Sequence, residues 1–108
     1  MLDGMKKYFV VASIHITPAA EGITRETATE TAFDQLVDLV MENDFERVFD
    51  PDVTADLAEG RLDLCMGVEG FSQLDVAVRV QSVMEKLRLL HFDLDSDYAV
   101  TSKPLVAA

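Results

Sequence analysis

From Arg61 to Glu69 the chain alternates without a break, with Leu62, Leu64, Met66 and Val68 on one side and Arg61, Asp63, Cys65, Gly67 and Glu69 on the other. A period of two sustained this long marks a strand with one buried face. Such a face needs a second layer, so the flanking segments must supply helices or another sheet. Upstream, Ala28, Ala32, Phe33, Leu36, Val37 and Val40 recur at helical spacing, predicting a helix from about Thr24 or Thr27 to Asn43. Thr27 with Glu30 has the spacing of a capping box. Downstream, Ser72 with Asp75 has the same spacing, and Val76, Val80, Val83, Met84 and Leu87 form the stripe of a second helix, about 72–90.

Three further strands complete the pattern. Tyr8 to Ile16 is β-branched and aromatic, with Tyr8, Val10, Ala12, Ile14 and Ile16 on one face and Phe9, Val11, Ser13, His15 and Thr17 on the other. Val53, Ala55 and Leu57 alternate with Asp52, Thr54 and Asp56, and Ala58-Glu59-Gly60 turns this segment into the strand at Leu62. Tyr98 to Ser102 is the last strand. The order β-α-β-β-α-β predicts an α+β, ferredoxin-like split βαβ fold: one domain over 1–108, a four-stranded antiparallel sheet ordered 4-1-3-2, and two helices on one face. Pro51 and Pro104 then fall on the two edge strands, where a missing amide donor is tolerated.

With 20 acids against 9 bases in 108 residues, the net charge is −11. That balance excludes an ordinary nucleic-acid surface and disfavours an anionic membrane. Eight acids lie between Glu42 and Asp63 against Arg47 and Arg61 alone. Their simplest role is to keep the hairpin soluble and to discourage strand addition; a docking face for a basic protein partner is the sharper alternative. A single cysteine, Cys65, points to a reducing, cytoplasmic setting, and neither a leader nor a membrane span is readable.

Chemistry is scarce. With strands one and three read as parallel neighbours, Ser13 falls near Cys65, His15 near Gly67, and a diagonal His15–Cys65 pair comes within about 7–8 Å. A thiol–imidazole pair is the minimum of a nucleophilic centre, but no third orienting group accompanies it, and a lone strand cysteine behaves as a small hydrophobe. Asp93, Asp95 and Asp97 imitate half an EF-hand, yet Tyr98 and Pro104 stand where glycine and glutamate belong. Gly67-Val68-Glu69-Gly70 enters a helix without the lysine of a phosphate loop. His91 suits a helix C-terminus. No catalytic, metal or cofactor site is predicted.

What remains is the sheet face that the helices leave bare. Phe9, Val11, Ser13, His15, Asp63 and Cys65 are expected there, and Phe9 and Val11 are too apolar to leave in water. The reading is a small acidic, non-catalytic homo-oligomeric assembly module with no cofactor, self-associating through this face. Three alternatives stand beside it. One is an ACT-like small-molecule sensor binding near Thr17–Ile23. Another is a small enzyme of the dimeric α+β barrel type with its pocket between sheet and helices. The last is an acidic inhibitor mimicking nucleic acid.

Overall fold

The computed structural model describes residues 4–17, 22–90, 92 and 98–105. Along the chain run β1 (Lys6–His15), α1 (Arg25–Glu42), β2 (Val48–Asp56), β3 (Arg61–Gly70), α2 (Gln73–Leu89) and β4 (Ala99–Pro104). The strands form one sheet ordered β2-β3-β1-β4, with each adjacent pair antiparallel. This is the predicted 4-1-3-2 order read from the other edge, and Pro51 and Pro104 do lie in the edge strands.

One expectation fails. β1 and β3 are antiparallel, because the crossover through α1 makes β2 parallel to β1 and the hairpin then reverses direction. Val11 therefore faces Cys65, Ser13 faces Asp63 and His15 faces Arg61. The predicted neighbours Ser13–Cys65 and His15–Gly67 do not form.

The buried face is the one the alternation selected. Tyr8, Val10, Ala12 and Ile14 of β1 join Leu62, Leu64, Met66 and Val68 of β3 and Val53 of β2 in one core. From above, α1 contributes Leu36 and Val40, while α2 contributes Val76, Val80, Val83, Met84 and Leu87. These side chains fill the space between the sheet and the two helices. The α1 cap is Thr24 rather than Thr27: Thr24 has extended backbone and its hydroxyl accepts from the Thr27 amide at 3.1 Å. Ser72 caps α2 as predicted, accepting from the Asp75 amide at 3.2 Å. The Asp75 carboxylate accepts from the Phe71 amide at 2.8 Å, one residue upstream of a standard capping box.

Leu57 lies outside β2, in the turn that Gly60 closes at φ +66°, a conformation glycine adopts without cost. β2 is also longer than predicted and carries a bulge. Between the pairs Phe49–Gly67 and Asp52–Cys65 it has one residue more than β3. Asp50, inside the bulge, sits at φ 49°, a region aspartate tolerates. The extra residue brings Phe49 and Asp52 to the same face. No helix among the described residues is long and apolar enough to cross a membrane.

The acidic hairpin gives a prediction. Arg61 pairs with Asp56 and Asp63, and Arg79 with Glu46. Asp44, Asp50, Asp52 and Glu59 have no ion pair among the described residues. Their mutual repulsion is screened by salt, so the melting temperature should rise from low to moderate salt. A flat or falling melting curve would mean that the acids are neutralised locally.

Candidate functional site

The sheet face opposite the helices is built in rows that the registers fix. Phe49, Gly67, Phe9 and Lys103 form one row. The next holds Asp52, Cys65, Val11 and Thr101, and the third holds Thr54, Asp63, Ser13 and Ala99. Asp56, Arg61 and His15 end the face, and Lys7 with Glu69 begins it. All six residues expected on this face are there. Sequence alternation also sets Arg61 and Asp52 on this side of their strands, but it does not reach Phe49, Thr101 and Lys103.

The apolar half rests on a close approach. A Cβ at Gly67 would stand 2.2 Å from the Phe49 ring, so this glycine lets the ring lie flat across β3. The Lys7 ammonium sits 5.4 Å from the centroid of the same ring, a cation–π contact. Phe9 is 36% exposed in the isolated chain. Beside it, Phe9, Val11, Thr101, Ser102 and Lys103 line a groove of about 270 Å³ between β1 and β4.

The other half is polar and internally bonded. The Ser13 hydroxyl donates to Asp63 Oδ1 at 2.7 Å, which leaves the serine oxygen free to accept. Arg61 Nε approaches the same carboxylate oxygen at 3.4 Å, and its terminal nitrogen lies 3.9 Å from Asp56. Arg61 Nε is buried without a hydrogen-bond partner among the described residues.

The expected thiol–imidazole pair does not form. Cys65 lies in the Val11 row and His15 beside Arg61, two rows away, because the strands run antiparallel. Burial pushes the Cys65 thiol above its ordinary pKa, and the carboxylates of Asp63 and Asp52 push it further. It therefore stays a thiol at neutral pH and is a poor nucleophile. Alkylation of Cys65 should be slower than that of free cysteine and should accelerate only in the alkaline range. Fast labelling at neutral pH would contradict this environment. The folded thiol releases its proton later than the unfolded one, so rising alkalinity past the ordinary thiol pKa should also erode stability.

The remaining sequence features contribute less. His91, Asp93, Asp95 and Asp97 lie outside the described residues, as does most of the Thr17–Ile23 connection. Among the described residues no three His, Cys, Asp or Glu side chains are placed to share a metal ion. A larger depression of about 620 Å³ follows the outer flank of α2 past Val78, Ser82 and Leu89. Its charged groups are already engaged, Glu85 by Arg88 at 2.6 Å and Lys86 by the Asp44 carbonyl at 2.6 Å.

No family model and no curated protein matches this sequence. Solved structures do share its architecture. A Caulobacter crescentus CB15 protein named as a "putative antibiotic biosynthesis monooxygenase" superposes with a TM-score of 0.55, at 14% identity over 96% of this chain and 93% of that one. A Bordetella bronchiseptica protein of the same name superposes at 0.54, with 19% identity over 94% and 99%. At such identity the likeness carries the fold. It nevertheless overturns the reading as a non-catalytic assembly module, since these similar chains are named as enzymes. The alternative of a small α+β barrel enzyme agrees with the fold of these chains. Its pocket, however, was expected between sheet and helices. The core occupies the space under α2, and the groove beside Phe9 lies on the opposite face.

Proposed function

We propose that this chain is a small-molecule-binding protein of the dimeric α+β barrel kind, with enzyme-like chemistry, and that its ligand lies in the groove between β1 and β4. The observation that carries this reading is the groove itself. Phe9 and Val11 give it an apolar floor, Thr101 a hydroxyl and Lys103 a cation at the rim. Pockets that hold small molecules pair a mostly apolar lining with a few placed polar groups. The matching ligand is a compact, partly apolar molecule with one acidic group. Its apolar body covers Phe9 and Val11, its anion meets Lys103, and the Ser13 oxygen in the next row accepts from a donor on the ligand. The fold's occurrence in proteins named for antibiotic biosynthesis directs a search toward small organic molecules rather than macromolecules.

A thermal-shift panel tests this, with apolar carboxylic acids and phenols set against free amino acids, nucleotides and divalent metal salts. Ligand at a hundred times its dissociation constant stabilises by about 2.7 kcal/mol. The acids and phenols should raise the melting temperature, and Phe9→Ala and Lys103→Ala should each remove most of that shift. A shift from amino acids alone would favour an ACT-like sensor. A shift untouched by both substitutions would put the ligand elsewhere.

A further inference from the structure

Ser13 and Asp63 face each other across β1 and β3 in the row next to the groove, and the serine hydroxyl donates to Asp63 Oδ1 at 2.7 Å. A carboxylate only accepts, and a serine hydroxyl has one proton to give. With that proton committed, the Ser13 oxygen presents lone pairs alone to anything lying over the face. Arg61 Nε, 3.4 Å from the same carboxylate oxygen, offsets its charge. On its other side Ser13 neighbours Ala99 of β4, whose methyl group leaves the oxygen open toward the groove. Thr101 is different. Its neighbour in the sheet is Val11 rather than a carboxylate, so its hydroxyl can turn either way. We infer that Asp63 is a positioning residue that fixes the polarity of the ligand site through Ser13, and that the site selects an apolar acid carrying a hydroxyl at the end away from its anion.

This inference rests on the groove as the ligand site and adds what the ligand must carry, and where. Lys103 stands beside Phe9, and Ser13 is four residues further along β1. At about 3.3 Å per residue the two anchors are roughly 13 Å apart. A hydrogen bond of about 2.8 Å at each end leaves roughly 8 Å between the ligand's anion and its donor. Phe9 and Val11 form the floor between the anchors, so the middle of the ligand is apolar. A flat, stiff hydroxy acid meets all three conditions. An ether or a carbonyl in place of the hydroxyl would set lone pairs against those of Ser13. A bare hydrocarbon end would leave the serine oxygen covered and without a partner. Discrimination is therefore by hydrogen-bond direction. Asp63 itself touches no ligand; its carboxylate acts by holding the serine proton.

Calorimetric titration with 4-hydroxycinnamate, cinnamate and 4-methoxycinnamate tests this, because the three share one carboxylate and differ only at the far end. A change in the field at the shared carboxylate cancels from their affinity ratios. Wild type should bind the hydroxy acid about five- to ten-fold more tightly than the other two, the effect of one hydrogen bond. Ser13→Ala should erase that preference, and Ser13→Thr, which keeps a hydroxyl, should restore it. Asp63→Asn should narrow it to about two-fold, because an amide can donate to Ser13 and release the serine proton toward the ligand. A merely structural role for Asp63 would weaken all three acids alike and leave the ratios unchanged. Circular dichroism should show each variant folded. Equal binding of the three acids by wild type would overturn the inference, as would a preference that Ser13→Ala or Asp63→Asn leaves whole. If binding without preference still needs Lys103, the groove stands and only its polarity is wrong. If none of the three acids binds, the groove and this inference fall together.

Discussion

Val11→Asp is expected to leave the fold intact and to abolish binding of an apolar acid on the open sheet face. Val11 sits at the centre of the open face, opposite Cys65 on one side and Thr101 on the other, and is half-buried in the single chain. In the single chain its aspartate would still reach water. Under the apolar body of a ligand in the groove the same carboxylate would be dehydrated beside Asp52 and Asp63 with no cation in its row. Burying a charge without a partner costs several kcal/mol, whereas covering the wild-type valine stabilises by about 1.5–3 kcal/mol when it is complete. The thermal shift given by apolar acids should therefore vanish, with an unchanged far-ultraviolet circular dichroism spectrum. A folded variant that keeps the wild-type shift would exclude this face as the ligand site.

Leu64→Ala should do the opposite, unfolding the chain more readily at any concentration. Leu64 is 1% exposed, pairs with Ala12 and Val53 on neighbouring strands and belongs to the central core. Removing its branched end leaves a cavity that neighbours held in a sheet can only partly fill. The expected loss is about 2–5 kcal/mol, a large share of the 5–15 kcal/mol that holds a domain of this kind together. Urea denaturation read by circular dichroism gives the value directly. A loss below about 1 kcal/mol would mean that the space above β3 is loosely packed. Leu64 and Val11 occupy opposite faces of adjacent strands. The two substitutions thus separate what holds the fold together from what lines its open face.

Much of this architecture is written in the hydrophobic period. The alternation from Leu62 to Val68 chose the buried face, and the stripe from Val76 to Leu87 chose the packed side of α2. Both follow from burial, which depends on which side a residue faces and not on its partner. Register and direction are different in kind. The pairing of Ser13 with Asp63 depends on β3 running opposite to β1, a property of the path through α1 and the hairpin that no single segment contains. The bulge at Asp50 is harder still. Simple alternation back from Thr54 would send Phe49 toward the helices, and only one extra residue turns its ring onto the open face. Pro51 beside an aspartate that tolerates a left-handed backbone was the available signal. The Thr24 cap was displaced for a local reason, since a cap is chosen by extended backbone geometry and the Thr27–Glu30 spacing does not supply it. The groove escaped notice because Thr101 and Lys103 come from β4, and their meeting with Val11 and Phe9 is a matter of tertiary register.

The most direct test of the account is to map a bound small molecule onto the chain residue by residue. With the strongest stabiliser from the thermal-shift panel added to isotopically labelled protein, amide chemical shifts should move at Phe9, Val11, Ser13, Thr101 and Lys103. The amides along the outer flank of α2 at Val78, Ser82 and Leu89 should stay in place. Shifts confined to that flank, or spread evenly over the molecule, would contradict a ligand site on the open face of the sheet.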